Sequence, residues 1–255
     1  SCYIRAMGHI HFGLTSPFFI SRGSGVMEKV TILVDGAFYR RRAYRLFGDK
    51  DPQERADELV SYCKRHLESQ DEFQMGSLYR IFYYDCPPMT GNVYHPLLEK
   101  PICMEKSETF LWSNEFYDAL ANKRKVALRM GELQEGESCF RLKSKAAKKL
   151  LRGDIALEDL KKSDFELNVV QKGVDMRIGL DIASLAYKKQ VSQIVLIAGD
   201  SDFVPAAKHA RREGIDFILD PMWQGIRSGL NEHIDGLRTC TPRNPTPRTE
   251  SLCRA

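Results

Sequence analysis

Asp200 and Asp202 stand one serine apart directly after Gly199, at the end of an apolar run, residues 194–198 (IVLIA). Such a run, rich in β-branched residues, is the pattern of a strand buried on both faces, as in the middle of a parallel sheet. Its acids would be delivered to the rim of that sheet. Two like charges ~4 Å apart repel by ~4 kcal/mol even at an effective dielectric near 20, so paired carboxylates at such a rim call for a counter-charge, most often a divalent cation. Residues 30–34 (VTILV) repeat the pattern and end in Asp35 before Gly36. Asp175 is a further acid, at the start of the helical stretch 174–187. Each has a plain structural reading as well: Asp35 as a turn residue, Asp175 as a favoured charge at a helix N-terminus, Asp202 as the cap of a helix starting at Phe203. Taken together, the expected rim collects four acids with no evident basic partner except Lys172.

The elements that must position these residues follow from the periodicity. Residues 30–34, 78–84 (LYRIFYY), 126–133 (VALRMGEL), 194–198 and 215–219 (IDFIL) read as strands. The spacing predicts helices over 37–47, 51–69, 114–125, 174–187 and 203–213; in 174–187 the apolar positions Val174, Ile178, Ile182 and Leu185 recur at helical intervals. Residues 90–112 read as a loop with one helix at most. Strands separated by helices imply right-handed βαβ units and an α/β fold with a parallel sheet of about five strands and helices on both faces. In such sheets ligands bind beyond the carboxyl ends of the strands, where strand order reverses. If the first and fourth strands are neighbours there, Asp35, Asp200 and Asp202 meet.

Composition sets the frame. Of 255 residues, 43% are hydrophobic and 28% charged, as in a soluble globular protein. The net charge is only +4, so any argument for a polyanionic partner rests on local clusters. Seven cysteines are scattered without a CxxC pair or a zinc-like histidine spacing, which reads as reduced thiols in a cytoplasmic protein. No apolar run approaches a membrane span. Residues 1–27 read as an N-terminal extension or a cloning-derived segment, with Met27 a natural start. Residues 239–255, rich in Pro, Arg, Thr and Ser, read as a disordered tail.

Three stretches carry a resemblance: VDG at 34–36, KGVDMRIGLDI at 172–182 and AGDSDFVPAAKHARREGI at 198–215. In this order and setting they resemble the NYN domain family of PIN-like nucleases, in particular its bacterial LabA-type branch. The resemblance spans 30 to about 237 and makes residues 28–238 one domain with a basic insertion near 134–170. It implies a Rossmann-like sheet in the order 3-2-1-4-5, with Asp35, Asp175, Asp200 and Asp202 binding Mg²⁺ or Mn²⁺ to hydrolyse RNA. Asp181 matches a further, frequently acidic position, but six residues after Asp175 it points to another side of the helix. One departure stands out: where the family often carries Asn three residues after its first Asp, this chain has Phe38.

Substrate contacts are expected from Lys172, Ser201 and the basic run Arg40, Arg41 and Arg42. Six basic residues over 140–152, among them Arg141, Lys143 and Lys148, form a second cluster. Tyr39, Tyr44 and Trp223 are candidates for stacking bases, with core packing the competing role for each. The expected partner is RNA, single-stranded, without a membrane, and a homo-oligomer stays open. An RNA-binding or regulatory module of the same fold, weak in catalysis, is the alternative. A haloacid dehalogenase-type site needs DxD after the first strand, where this chain has Asp35, Gly36 and Ala37. A TOPRIM-type site expects Glu there, and no GxGxxG follows the strand to suggest a dinucleotide.

Overall fold

The computed structural model describes residues 28–68, 76–134, 136, 138–226 and 228–241. The expectations for residues 1–27 and for 242–255 lie outside the described residues. Its centre is a six-stranded sheet, all parallel, formed by β1 (Lys29–Asp35), β2 (Ser77–Asp85), β3 (Val126–Met130), β4 (Gln193–Ile197), β5 (Asp216–Asp220) and β6 (Gly236–Leu237). The strand order is β3-β2-β1-β4-β5-β6. This is the expected order with one strand added at the β5 edge. β6 has two residues, too few for a periodic signal; it is held there because Asp235 accepts the Phe217 N–H at 2.9 Å and pairs with Arg211 at 2.8 Å.

Alternating residues of the central strands enter two separate cores. Ile32 and Val34 of β1 face α1 (Gly36–Phe47), α2 (Pro52–Arg65) and α3 (Glu108–Ala121), with Tyr39, Tyr62, Tyr83 and Phe116 filling that layer. Leu33 and Leu196 face the opposite layer. There Ile178, Ile182 and Leu185 come from α5 (Val174–Tyr187), and Ala207 and Ala210 from α6 (Val204–Arg212). The helical spacing read in residues 174–187 therefore marks the face that packs.

Three expectations need correction. The stretch 90–112 holds a hairpin, Asn92–His95 against Lys100–Cys103, and α3 begins at Glu108, six residues before the expected start. Its start signal is a capping serine: the Ser107 hydroxyl accepts the Phe110 N–H at 3.2 Å. Residues 126–133 are two strands, because the chain leaves the sheet at Gly131 and Glu132–Leu133 pairs antiparallel with Gln171–Lys172. The basic stretch 140–152 is a strand, Cys139–Leu142, paired with Phe165–Asn168, followed by the short helix α4 (Ser144–Leu151). Thr239, in the expected tail, donates to the Asp220 carboxylate at 2.8 Å. No helix among the described residues is long and apolar enough to cross a membrane.

Candidate metal and phosphate site

The order of the sheet reverses between β1 and β4, and the sequence places acids at that reversal. Val34 lies level with Ile197 of β4, and Asp35 level with Tyr84 of β2. Asp35 caps α1, its carboxylate accepting the Phe38 N–H at 3.0 Å. Burial raises its pKa from 3.8 to about 6; the Phe38 N–H pulls the other way, and the negative charges of Asp175 and Asp85 add to the rise. Asp175 sits in the first turn of α5, behind Gly173 in a left-handed conformation. Its pKa is raised by partial burial and then by the charges of Asp200 and Asp202. Asp35 thus feels Asp175, and Asp175 feels Asp200 and Asp202, which links the four expected acids electrostatically in series.

The helix-capping expectation for Asp202 is not met. It is Asp200 whose carboxylate accepts a backbone N–H, that of Asp202 at 3.2 Å, closing the turn Ser201–Phe203, while α6 has no side-chain cap. The Ser201 side chain lies outside the described residues.

What separates these acids from their neighbours is the lack of an ion-pair partner. Asp85, at the end of β2, is fully enclosed and held by Arg40 at 3.0 Å, by the Tyr83 hydroxyl at 3.1 Å and by its own turn at Cys86. Asp181, on the α5 side facing β2 and β3, is gripped by both Arg129 nitrogens at 2.9 Å and by the Tyr84 hydroxyl at 2.8 Å. Asp220, at the end of β5, is buried among Tyr62, His66 and Thr239. Asp35, Asp175, Asp200 and Asp202 have no ion-pair partner among the described residues. Asp85 and Asp220 escaped the sequence reading as rim acids, although the signal, an acid closing an apolar strand, was the one that marked Asp35.

The donor set is made of carboxylate oxygens alone, which in chemistry and charge fits a hard divalent cation. In placement it is open: among the described residues no three His, Cys, Asp or Glu side chains stand close enough together to hold a metal ion.

The basic candidates divide. Arg40 is committed to Asp85 and reaches Ser113, and Arg42 donates to the Met222 carbonyl at 3.0 Å. Arg41 is exposed, and its charge lowers the pKa of Asp35 against the dominant effect of burial. Lys172 is exposed, two residues before α5. Of the aromatic candidates Tyr39 is core, its hydroxyl donating to Glu58 at 2.9 Å. Tyr44 lines a cleft of about 380 Å³ between α1 and α3, away from the acids, and Trp223 is partly exposed.

Phe38 has a structural role. Its ring is buried against the turn that presents Asp200: a Cβ on Gly199 would fall 2.4 Å from Phe38 Cε2 and 2.9 Å from the Gln224 side-chain nitrogen. Gly36 is as tightly enclosed, with Asp85 and Tyr83 at 2.6 Å from the same construction. Both glycines let backbone approach side chains where any larger residue would displace an acid-bearing segment.

A family model covers the C-terminal part of this site. Residues 141–222 match the NYN domain family. The NYN match includes Lys172, Asp175, Asp200 and Asp202; it is narrower than the resemblance read from the motifs and does not reach Asp35. No curated protein matches the chain. Among solved structures, a protein of unknown function from Vibrio parahaemolyticus is similar at 14% identity, over 84% of this chain and 93% of that one, with a TM-score of 0.42, a likeness too distant to carry any argument.

Proposed function

We propose that this protein is a Mg²⁺- or Mn²⁺-dependent ribonuclease that hydrolyses RNA phosphodiester bonds at Asp35, Asp175, Asp200 and Asp202. The observation that carries this reading is a contrast: Asp85 and Asp181 are neutralised by arginines, whereas these four acids, linked electrostatically through Asp175, have no ion pair among the described residues. Like charges gathered without compensation are costly in a purely structural role and useful around a cation. The NYN match supports the nuclease class.

Asp35 and Asp200 would ligate the cation directly, with Asp175 and Asp202 acting through water or at a second position. When bound, Mg²⁺ or Mn²⁺ supplies a water of lowered pKa and neutralises charge developing on the phosphate. Asp35 must be ionised to ligate, which its pKa of about 6 sets at neutral pH. Arg41 and Lys172, both exposed beside the acids, would contact substrate phosphates; Ser201 completes the set of candidates at the Asp200 turn. The Arg40 and Arg42 guanidinium groups are engaged inside the fold. Single-stranded RNA suits an open rim, and the free cysteines among the described residues suit a cytoplasmic protein.

A second reading, an RNA-binding module without turnover, draws on Phe38, whose ring fills the space beside Asp200 with carbon. A time course on single-stranded RNA in Mn²⁺ separates the two. Cleavage by the wild type, abolished by EDTA and by Asp35→Asn or Asp200→Asn in folded protein, supports the ribonuclease. RNA binding with no cleavage selects the module, and wild-type rates in both variants contradict the proposed site.

A further inference from the structure

The turn after β5 holds an aromatic ring at the rim in a conformation that packing alone does not explain. Met222 and Trp223 have φ of 46° and 63°, two successive left-handed residues without a glycine. That region is disfavoured for residues with a Cβ and persists only where neighbours enforce it. Here three contacts do so: Asp220 accepts the Met222 N–H at 2.8 Å, Pro221 accepts the Gln224 N–H at 2.8 Å, and Arg42 donates to the Met222 carbonyl.

The result is a division of roles. Met222 is sealed in the core, while Trp223 is 42% exposed. Its indole N–H is already satisfied, donating to the Thr241 carbonyl at 3.0 Å. The ring is therefore oriented, and the ring surface it offers solvent is apolar. Trp112, the only other tryptophan, is instead stacked on Phe116 at 5.0 Å with its N–H bonded to Lys50.

The turn that carries the ring also adjoins the segment that presents Asp200. Asp220, which anchors the turn, is level with Ile197 of β4, three residues before Asp200, and the side chain of Gln224 reaches the position of a Gly199 Cβ. We propose that Trp223 is a stacking platform for a nucleobase of the RNA whose phosphate lies at Asp200. This rests on the RNA reading above. Every base has a π-face, so the platform would hold single-stranded RNA with little sequence preference.

The test uses the full chain. In the W112F protein, Trp223 is the sole fluorophore, and a ten-nucleotide mixed-sequence RNA in EDTA, which prevents cleavage, is expected to quench it. Trp223→Ala should bind that RNA roughly tenfold more weakly, with Trp223→Phe recovering most of the loss. An abasic strand of equal length should bind wild type and Trp223→Ala alike. Unchanged emission on RNA binding, or equal RNA affinity in Trp223→Ala, overturns the stacking role while leaving the ribonuclease reading intact. Failure of the wild type to bind the RNA both in EDTA and in Mn²⁺ overturns both.

Discussion

Asp35 is the acid whose surroundings oppose its charge most strongly. Its pKa of about 6 exceeds the 3.8 of an ordinary aspartate, so the folded state holds its proton more tightly than the unfolded state does. The group is therefore neutral in both states well below pH 4. Its unfavourable ionisation develops as pH rises through the two values and is complete above about 6, at a cost approaching about 3 kcal/mol by the 1.36 kcal/mol that attaches to each unit. Asparagine keeps the helix cap without the charge. Asp35→Asn should thus raise the thermal midpoint at pH 7.5 and lose that advantage near pH 4, measured by unfolding followed by circular dichroism, while cleaving no RNA. A stability gained by removing a site residue is the usual mark of a functional charge. The arginines predict a second contrast. Arg40→Ala strands the enclosed Asp85 and should cost about 3 kcal/mol of stability, whereas Arg41→Ala should stay within about 0.5 kcal/mol of wild type and weaken RNA binding. Urea denaturation and a binding titration check the pair.

Among the elements, the β4–α6 turn depends most on a single packing contact. Phe38 presses on Gly199, and α1 is thereby fixed against the segment that presents Asp200. Gly199→Ala should destabilise by roughly 1–3 kcal/mol through overpacking, and by less in a Phe38→Leu background, where the ring edge is gone. A double-mutant cycle in urea reads the coupling directly. The main elements were legible in the sequence, because VTILV and IVLIA are long enough to declare buried strands and Val174, Ile178, Ile182 and Leu185 declare a helix face. The hairpin at Asn92–Cys103 and the early start of α3 were not, since four-residue strands are too short to declare a period and Ser107 capped a helix whose first turn lacks a clear stripe. Rim acids were legible as strand ends but not as free or paired. Asp35 and Asp85 end adjacent strands in the same way, and only the fold reveals that Arg40 reaches one and leaves the other alone.

For the molecule as a whole, function follows from charge of opposite sign held in different places. The rim is acidic, while Arg41, Lys172 and the exposed Lys145, Lys148 and Lys149 of α4 stand outside it. The segment that carries α4 leaves and re-enters through the Glu132–Lys172 ladder, three residues before Asp175. RNA affinity should fall with added salt, and Arg41→Ala should lower the slope of log K against log salt by about 0.7, the value for one phosphate contact on a single strand. Cleavage at limiting Mn²⁺ should rise with pH as Asp35 ionises, and the midpoint should fall below about 6 as Mn²⁺ is raised, because the cation competes with the proton. The claim beneath all of these is that the unpaired acids hold a divalent ion. Anomalous diffraction from crystals soaked in Mn²⁺ tests it most directly: the account predicts a manganese peak between the carboxylates of Asp35 and Asp200, and a soaked crystal with no peak at that rim would contradict it.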